Sequence, residues 1–388
     1  MKYLRHIDNK IKNHFQKYKE VIVLLGSRQT GKTTLVRRIF PKATYLLVDN
    51  EPVLKMLESY DINTYQNALA DKKKEIIIDE IHLLSNPGRA AKIIYDQMPG
   101  IKLIITGSAS FSIKNKTSES LAGRKIEYCL YPLTFSEYLF QKRIIKKLDF
   151  NIFEKIINNK KDKVAYLFDV KTILNDILLY GQYPNLVNLP RDKEYLLNFI
   201  DSLIFKDILD LKLIEDRKLA LNILKLLAYQ IGNLINYSEL ADKVKASQQT
   251  VKRYIEIFEQ SFILFRLYPF SKNRRDEIVK SPKIYFYDTG LRNALINDFA
   301  DLSLRPDRGA LWENFIITEC LKANNYLGAR YSLNFWRTRQ DSEVDLVLSK
   351  KGEIIGAEIK YKAKGINKAF MNRYKQAKFV SINSENFY

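Results

Sequence analysis

Cysteine is nearly missing from this chain: its 388 residues include two, Cys129 and Cys320, far apart and without metal-ligand spacing. That excludes a disulfide scaffold and a cysteine-held zinc, and a reduced, cytoplasmic protein is expected. Long apolar runs are missing as well. None approaches membrane-spanning length, so no membrane partner is expected. Met1 to Phe15 sets Leu4, Ile7, Ile11 and Phe15 among Lys, Arg and Asn, which is helical spacing and not a signal-peptide core. There is no internal repeat, and nothing of low complexity beyond short lysine clusters. Acids are in deficit, 44 against 64 Lys and Arg, for a net charge of +20. Such an excess favours an anionic polymer as partner through counterion release, although lysine- and asparagine-rich usage also follows from an AT-rich genome. With 46% hydrophobic and 28% charged residues, the chain can bury two or three cores.

What is present begins with Gly26-Ser27-Arg28-Gln29-Thr30-Gly31-Lys32-Thr33-Thr34, entered directly from the apolar run Val21 to Leu25. Glycines permit the backbone angles that let successive N–H groups wrap phosphate oxygens. Lys32 adds a mobile charge for the outer phosphates, Thr33 offers a hydroxyl to Mg²⁺, and a helix opening near Lys32 points its positive end at the anion. The loop is read as a nucleotide site.

Glu75-Ile76-Ile77-Ile78-Asp79-Glu80 is a buried-strand run ending in two acids. Asp79 is expected to accept the magnesium's water shell and Glu80 to orient or deprotonate the attacking water. A further strand, Lys102 to Thr106, ends in Thr106-Gly107-Ser108. There Ser108, or Thr106 as second choice, would sense the terminal phosphate from between the loop-bearing and acid-bearing strands, unless the triplet is ordinary turn chemistry. Alternation of strands (21–25, 45–48, 76–79, 103–106) with helical stretches up to about Phe140 predicts a parallel α/β sheet with nucleotide at its carboxyl edge.

After Tyr131-Pro132-Leu133 the pattern turns to helical periodicity, Leu139 to Ile157, broken at Gly181-Gln182-Tyr183-Pro184 and followed by a charged helix, Asp192 to Leu209. This reads as a helical lid or linker. From Arg217 to Phe286 the pattern predicts a winged helix: helices 219–231, 237–244 and 248–262, then antiparallel strands 263–268 and 283–287. Ser247 would cap the third helix, whose Gln248, Gln249, Lys252 and Arg253 would face DNA while Val251, Tyr254, Ile255 and Phe258 pack inward. Lys272, Arg274, Arg275 and Lys280 lie between the wing strands and suit phosphates. A rigid protein-binding adaptor with a solvated basic loop is the other reading.

The last region opens on Trp312-Glu313-Asn314-Phe315 in an amphipathic helix, then gives strands 343–348 and 354–360. If Lys351-Gly352 are the centre of a tight hairpin, Lys350 pairs with Glu353 and Asp345 falls opposite Glu358. Two carboxylates on one face suit a divalent cation, Mg²⁺ or Mn²⁺, and Lys360 shares that face by alternation. Asp345, Glu358 and Lys360 form a metal-dependent phosphodiesterase pattern, with Glu313 as a fourth member and Glu343 able to substitute for Asp345. Any half-exposed hairpin alternates similarly.

These residues, with Ile-Ile-Asp-Glu-Ile-His, Ile-Thr-Gly-Ser-Ala-Ser, Leu-Ala-Gly-Arg and Tyr-Pro-Leu-Thr-Phe-Ser-Glu-Tyr, resemble the AAA-type ATP-binding proteins of archaea and bacteria. Those are relatives of the signal-transducing STAND NTPases with a C-terminal domain of unknown function. The resemblance spans nearly the whole chain and implies a P-loop AAA-type ATPase core (1–140), a helical lid or linker (141–216), a winged helix (217–288) and a domain similar to the PD-(D/E)xK nucleases (289–388), which is a restriction-endonuclease-like α/β fold. Arg124 is nominated for a γ-phosphate contact, in its own or a neighbouring subunit, with Arg28 as rival. The expectation is a Mg²⁺-dependent ATPase that binds DNA and carries a nuclease-like domain, its nucleotide state repositioning the other regions. The alternative is a nucleotide-dependent switch that binds a protein partner through a non-catalytic C-terminal domain. Homo-oligomers are possible on either reading.

Overall fold

The computed structural model describes residues 4–69, 74–107, 121–158, 168–189, 191–209, 214–271, 281–338, 342–361 and 368–388. The chain divides into two compact units. The first comprises Met1–Tyr131 with Leu203–Leu213 and Gln260–Phe262, and the second comprises Pro132–Ser202, Ile214–Glu259 and Ile263–Tyr388.

The first unit is built on a five-stranded, wholly parallel sheet in the order β2-β3-β4-β1-β5. Its strands are β1 (Val21–Leu25), β2 (Thr44–Leu47), β3 (Glu75–Asp79), β4 (Lys102–Gly107) and β5 (Lys125–Cys129). Every residue of β1 is buried, as unbroken Val/Ile/Leu runs require when a strand is covered on both faces. Val23, Leu25, Ile76, Ile78, Leu103 and Ile105 pack with Ile81, Ala90 and Ile94 in one core. β4 lies between β1 and β3, which brings the loop after β1 and the acids ending β3 to either side of Thr106.

The second unit holds a mixed six-stranded sheet, order β11-β10-β9-β8-β6-β7. The strands are β6 (Leu264–Pro269), β7 (Lys283–Phe286), β8 (Ser332–Arg337), β9 (Glu343–Lys350), β10 (Glu353–Ile359) and β11 (Lys378–Ile382). The hairpin register is as expected: Lys350 pairs with Glu353, and the ladder runs to Leu346 opposite Ala357. Lys351 and Gly352 both take positive φ, 47° and 88°, the backbone of a two-residue type I′ turn.

Helices Arg217–Tyr229, Tyr237–Val244 and Gln248–Gln260 precede the antiparallel pair β6 and β7. Ser247 Oγ accepts from the Thr250 N–H at 3.0 Å, and Val251, Tyr254, Ile255 and Phe258 are buried. Sequence pattern missed the destination of the pair: Tyr268 and Pro269 pair in parallel with Asn334 and Phe335, so β6 and β7 are the edge of the six-stranded sheet. Helix Arg308–Leu327 also departs from expectation. It is buried on most sides rather than amphipathic, because it packs on β7, β10 and helix Asn151–Ile157 together.

Candidate functional sites

In the first unit the loop after β1 is shaped by close approach. Gly26 has φ 154°, and a Cβ there would lie 2.2 Å from the Leu130 carbonyl oxygen. Gly31, at φ 93°, precedes helix Lys32–Ile39, whose first N–H groups open toward the loop. Lys32 Nζ donates to the carbonyls of Gly26 (2.9 Å) and Ser27 (3.0 Å), so the ammonium lies across the loop. Thr30 Oγ1 donates to the Ser27 carbonyl at 2.9 Å. Arg5, which pattern reading passed over, donates to the Thr30 carbonyl (2.9 Å) and the Tyr131 carbonyl (2.6 Å), tying the amino-terminal segment to the loop.

Thr33 Oγ1 donates to Asp79 Oδ2 at 2.7 Å, Tyr45 Oη donates to the same oxygen at 2.5 Å, and Thr106 Oγ1 donates to Asp79 Oδ1. Three hydroxyls from three elements thus hold one buried carboxylate. Glu80 sits in the left-handed region at φ 57° and ψ 39°, and its N–H points at Thr106 Oγ1 at 3.4 Å. Burial raises the Glu80 carboxyl above its ordinary range, and the Lys32 charge opposes that shift. His82 Nδ1 lies 3.2 Å from Glu80 Oε2. Gly-rich cradle, lysine, hydroxyl and carboxylate are the donor set that a nucleoside triphosphate and Mg²⁺ require, so these residues fit both.

Arg124 does not reach this loop within its own chain. It precedes Lys125, which pairs with Val21 at the amino ends of the strands, whereas the loop follows Leu25 at the carboxyl ends. At about 3.3 Å per residue the two ends of a five-residue strand are on the order of 15 Å apart. The Arg124 Nε donates instead to Asp96 at 2.8 Å. Ser108 lies outside the described residues, as do Lys272, Arg274, Arg275 and Lys280.

In the second unit Asp345 of β9, Glu358 of β10 and Lys360 just beyond β10 come together. Asp345 Oδ2 accepts from the Ile359 N–H (2.7 Å), and both Asp345 oxygens accept from Lys360 Nζ at 2.9 and 2.8 Å. Lys360 Nζ also lies 3.8 Å from Glu358. Lys283 of β7, a residue pattern reading ignored, is buried between Glu313 (3.2 Å) and Glu343 (2.5 Å), and Tyr285 Oη donates to Glu313 at 2.5 Å. Burial pulls the Lys283 ammonium down, but Glu313 and Glu343 outweigh it and hold the group above its usual value. Burial likewise opposes Lys360, and Asp345 outweighs it. The only advance signal for Lys283 was a lone lysine heading an apolar strand. Among the described residues no group of three or more His, Cys, Asp or Glu is arranged to hold a metal ion. Lys360 and Lys283 supply the counter-charge to these carboxylates.

On the third helix Gln248, Gln249, Lys252 and Arg253 are exposed. Lys252 lies over the Tyr237 ring at 5.3 Å, and Arg253 lies 3.5 Å from Glu215.

Comparison with known proteins agrees with the first site. Residues 18–139 match the family described as AAA domain, 171–302 match the domain of unknown function DUF8612, and 308–385 match the domain of unknown function DUF4143. An uncharacterized protein of Mycobacterium tuberculosis is 29% identical over 348 residues, covering 88% of this chain and 70% of that one. One from Methanocaldococcus jannaschii is 24% identical over 400 residues, covering 98% of this chain and 82% of its own. Among solved structures, a Walker-type ATPase of Pyrococcus abyssi matches 74% of this chain and 94% of its own, at 16% identity and a TM-score of 0.46. No helix among the described residues is long and apolar enough to cross a membrane. Residues 18–139 are thus similar to an AAA domain, and the two later segments are similar to domains of unknown function.

Proposed function

We propose that this protein hydrolyses ATP with Mg²⁺ at the loop between β1 and helix Lys32–Ile39. The observation that carries the reading is the 2.7 Å bond from Thr33 Oγ1 to Asp79 Oδ2, which joins the two residues able to hold the metal at the mouth of a glycine-bounded phosphate cradle. Gly26 to Thr34 would bind the phosphates, Lys32 moving from the loop carbonyls to the outer oxygens. Bound Mg²⁺ would supply charge neutralisation there. Thr33 and Asp79 would hold that ion, and Glu80 would orient the attacking water. Thr106, placed between Asp79 and Glu80, would report on the terminal phosphate together with Ser108. Lys32→Ala should abolish turnover in a phosphate-release assay and weaken ATP binding in calorimetry. Hydrolysis at the wild-type rate would discard the assignment.

For the second unit the proposal is DNA binding through the exposed face of helix Gln248–Gln260, aided by Lys272, Arg274 and Arg275 in a chain of charge +20. The division into four regions, with a winged helix at 217–288 and a nuclease-like domain at 289–388, belongs to the same proposal. The proximity of Asp345, Glu358 and Lys360 supports the nuclease-like reading, and Lys360 is paired with Asp345. That pairing favours a second reading, in which a non-catalytic C-terminal domain binds a protein partner in response to nucleotide. Steeply salt-dependent affinity for duplex DNA would support the first reading. No DNA binding with Mg²⁺ and ATP would leave the second. Incubation with linear and supercoiled DNA and Mn²⁺, alongside Glu358→Ala, tests cleavage directly.

A further inference from the structure

Asp79 is almost wholly buried, and an ionised carboxylate in that position must have its lone pairs met by donors. Three hydroxyls donate to it: Thr106 on Oδ1, and Thr33 with Tyr45 on Oδ2. On the ATPase reading, Thr33 would offer its oxygen to the metal, and its hydroxyl would no longer serve Asp79 alone. Thr106 and Tyr45 then keep the carboxylate in its plane. Thr106 belongs to the central strand β4. Tyr45 comes from the edge strand β2, half-buried, and its ring lies under the Arg37 guanidinium at 4.9 Å. Arg37 is on the same helix as Thr33, so the phenol is braced by the element that carries the other metal-holding group.

We infer that Tyr45 is a positioning residue for the nucleotide's magnesium: its hydroxyl fixes the Asp79 carboxylate that, with Thr33, would hold the ion. The inference rests on the ATPase reading and adds a residue to it. A group acting this way contributes to the metal-dependent part of nucleotide affinity and to nothing else at the loop. The phosphate cradle is made by backbone N–H groups and Lys32, whereas Tyr45 contacts Asp79 and Arg37. Removing a hydrogen-bond partner behind a metal ligand costs about 10- to 100-fold in metal affinity.

The test compares full-length wild type with Tyr45→Phe, using binding of a fluorescent ATP analogue in Mg²⁺ and in EDTA. The expected result is an affinity at least about tenfold weaker in Mg²⁺ and changed less than about twofold in EDTA. Electron paramagnetic resonance of Mn²⁺ bound with ADP should give the same loss directly. In an Asp79→Asn background, Tyr45→Phe should add nothing, since its effect passes through that carboxylate. Equal losses in Mg²⁺ and EDTA, no loss in either, or full additivity with Asp79→Asn would overturn the proposal. So would loss of the cooperative melt in Tyr45→Phe, which would make the residue a fold element. Wild type that binds the analogue in neither condition would instead remove the ATPase reading itself.

Discussion

Cys129 ends β5, and burial pushes its thiol up to about 11. The thiolate is the nucleophile, and an ordinary cysteine near 8.5 is roughly one quarter ionised at pH 8, whereas this one would be ionised about one part in a thousand. Alkylation of the native chain should therefore be slower than that of a free thiol by about two orders of magnitude at pH 8, rising about tenfold per pH unit until pH 11. Mass spectrometry of Cys129 after iodoacetamide treatment across that range checks it; rapid labelling at pH 7 would refute it. The same scale separates what residue type reveals from what it conceals. The loop was legible because backbone demands fix its glycines: Gly26 has no room for a Cβ beneath the Leu130 carbonyl. Tyr45, Arg5 and Lys283 were not, since each matters through a partner 34, 25 or 30 positions away that only folding supplies.

The last carbonyls of helix Val170–Tyr180 accept from a second element, that of Ile177 in addition to its bond from the Gly181 N–H. Thr289 Oγ1 donates to the Ile177 carbonyl at 2.9 Å, and Asn293 Nδ2 donates to those of Leu178 (2.9 Å) and Leu179 (3.0 Å). Asp288 returns the favour by accepting from the Gln182 N–H at 2.6 Å while capping its own helix through the Leu291 N–H at 2.9 Å. The approach is so close that a Cβ at Gly290 would sit 2.2 Å from the Tyr180 carbonyl oxygen. Gly290→Ala should therefore destabilise by about 1–3 kcal/mol or more, through overpacking against backbone that cannot swing aside. Gly309→Ala is the matched comparison: nothing lies within 4 Å of its Cβ position, at the start of a long helix, so it should be neutral or stabilising by up to about 1 kcal/mol. Urea midpoints of the two variants decide it, and equal effects would mean that packing at Gly290 relaxes freely. Elements of this kind were readable where periodicity is local. Strands 21–25 and 76–79 and the Lys351-Gly352 hairpin matched expectation nearly residue for residue. The parallel pairing of β6 with β8 was not readable, because Tyr268 and Asn334 are 66 positions apart and no turn chemistry announces a parallel neighbour.

At the scale of the whole molecule, the two units place their charged clusters in separate cores, so each should be stabilised by a different agent. Mg²⁺ with ATP at about 100 times its dissociation constant should add about 2.7 kcal/mol to the first unit by mass action. The second unit depends on Lys283, whose ammonium is enclosed by Glu313 and Glu343. Because those carboxylates hold Lys283 above its usual value despite burial, its contribution is complete at neutral pH and is lost only as pH rises through that raised value, above the ordinary lysine figure of about 10.4. Lys283→Met keeps the volume and removes the charge. Two partly buried carboxylates are then left facing each other; a broken buried ion pair costs about 3–5 kcal/mol, which is the upper bound here. Hydrogen exchange followed by mass spectrometry resolves the outcome by region. Lys283→Met should lower protection in β7, β9 and helix Arg308–Leu327 while leaving β1 and β3 as in wild type, and ATP should raise protection in β1, β3 and helix Lys32–Ile39. If the substitution costs nothing in the second unit, water balances the two carboxylates and Lys283 is not the group that offsets them.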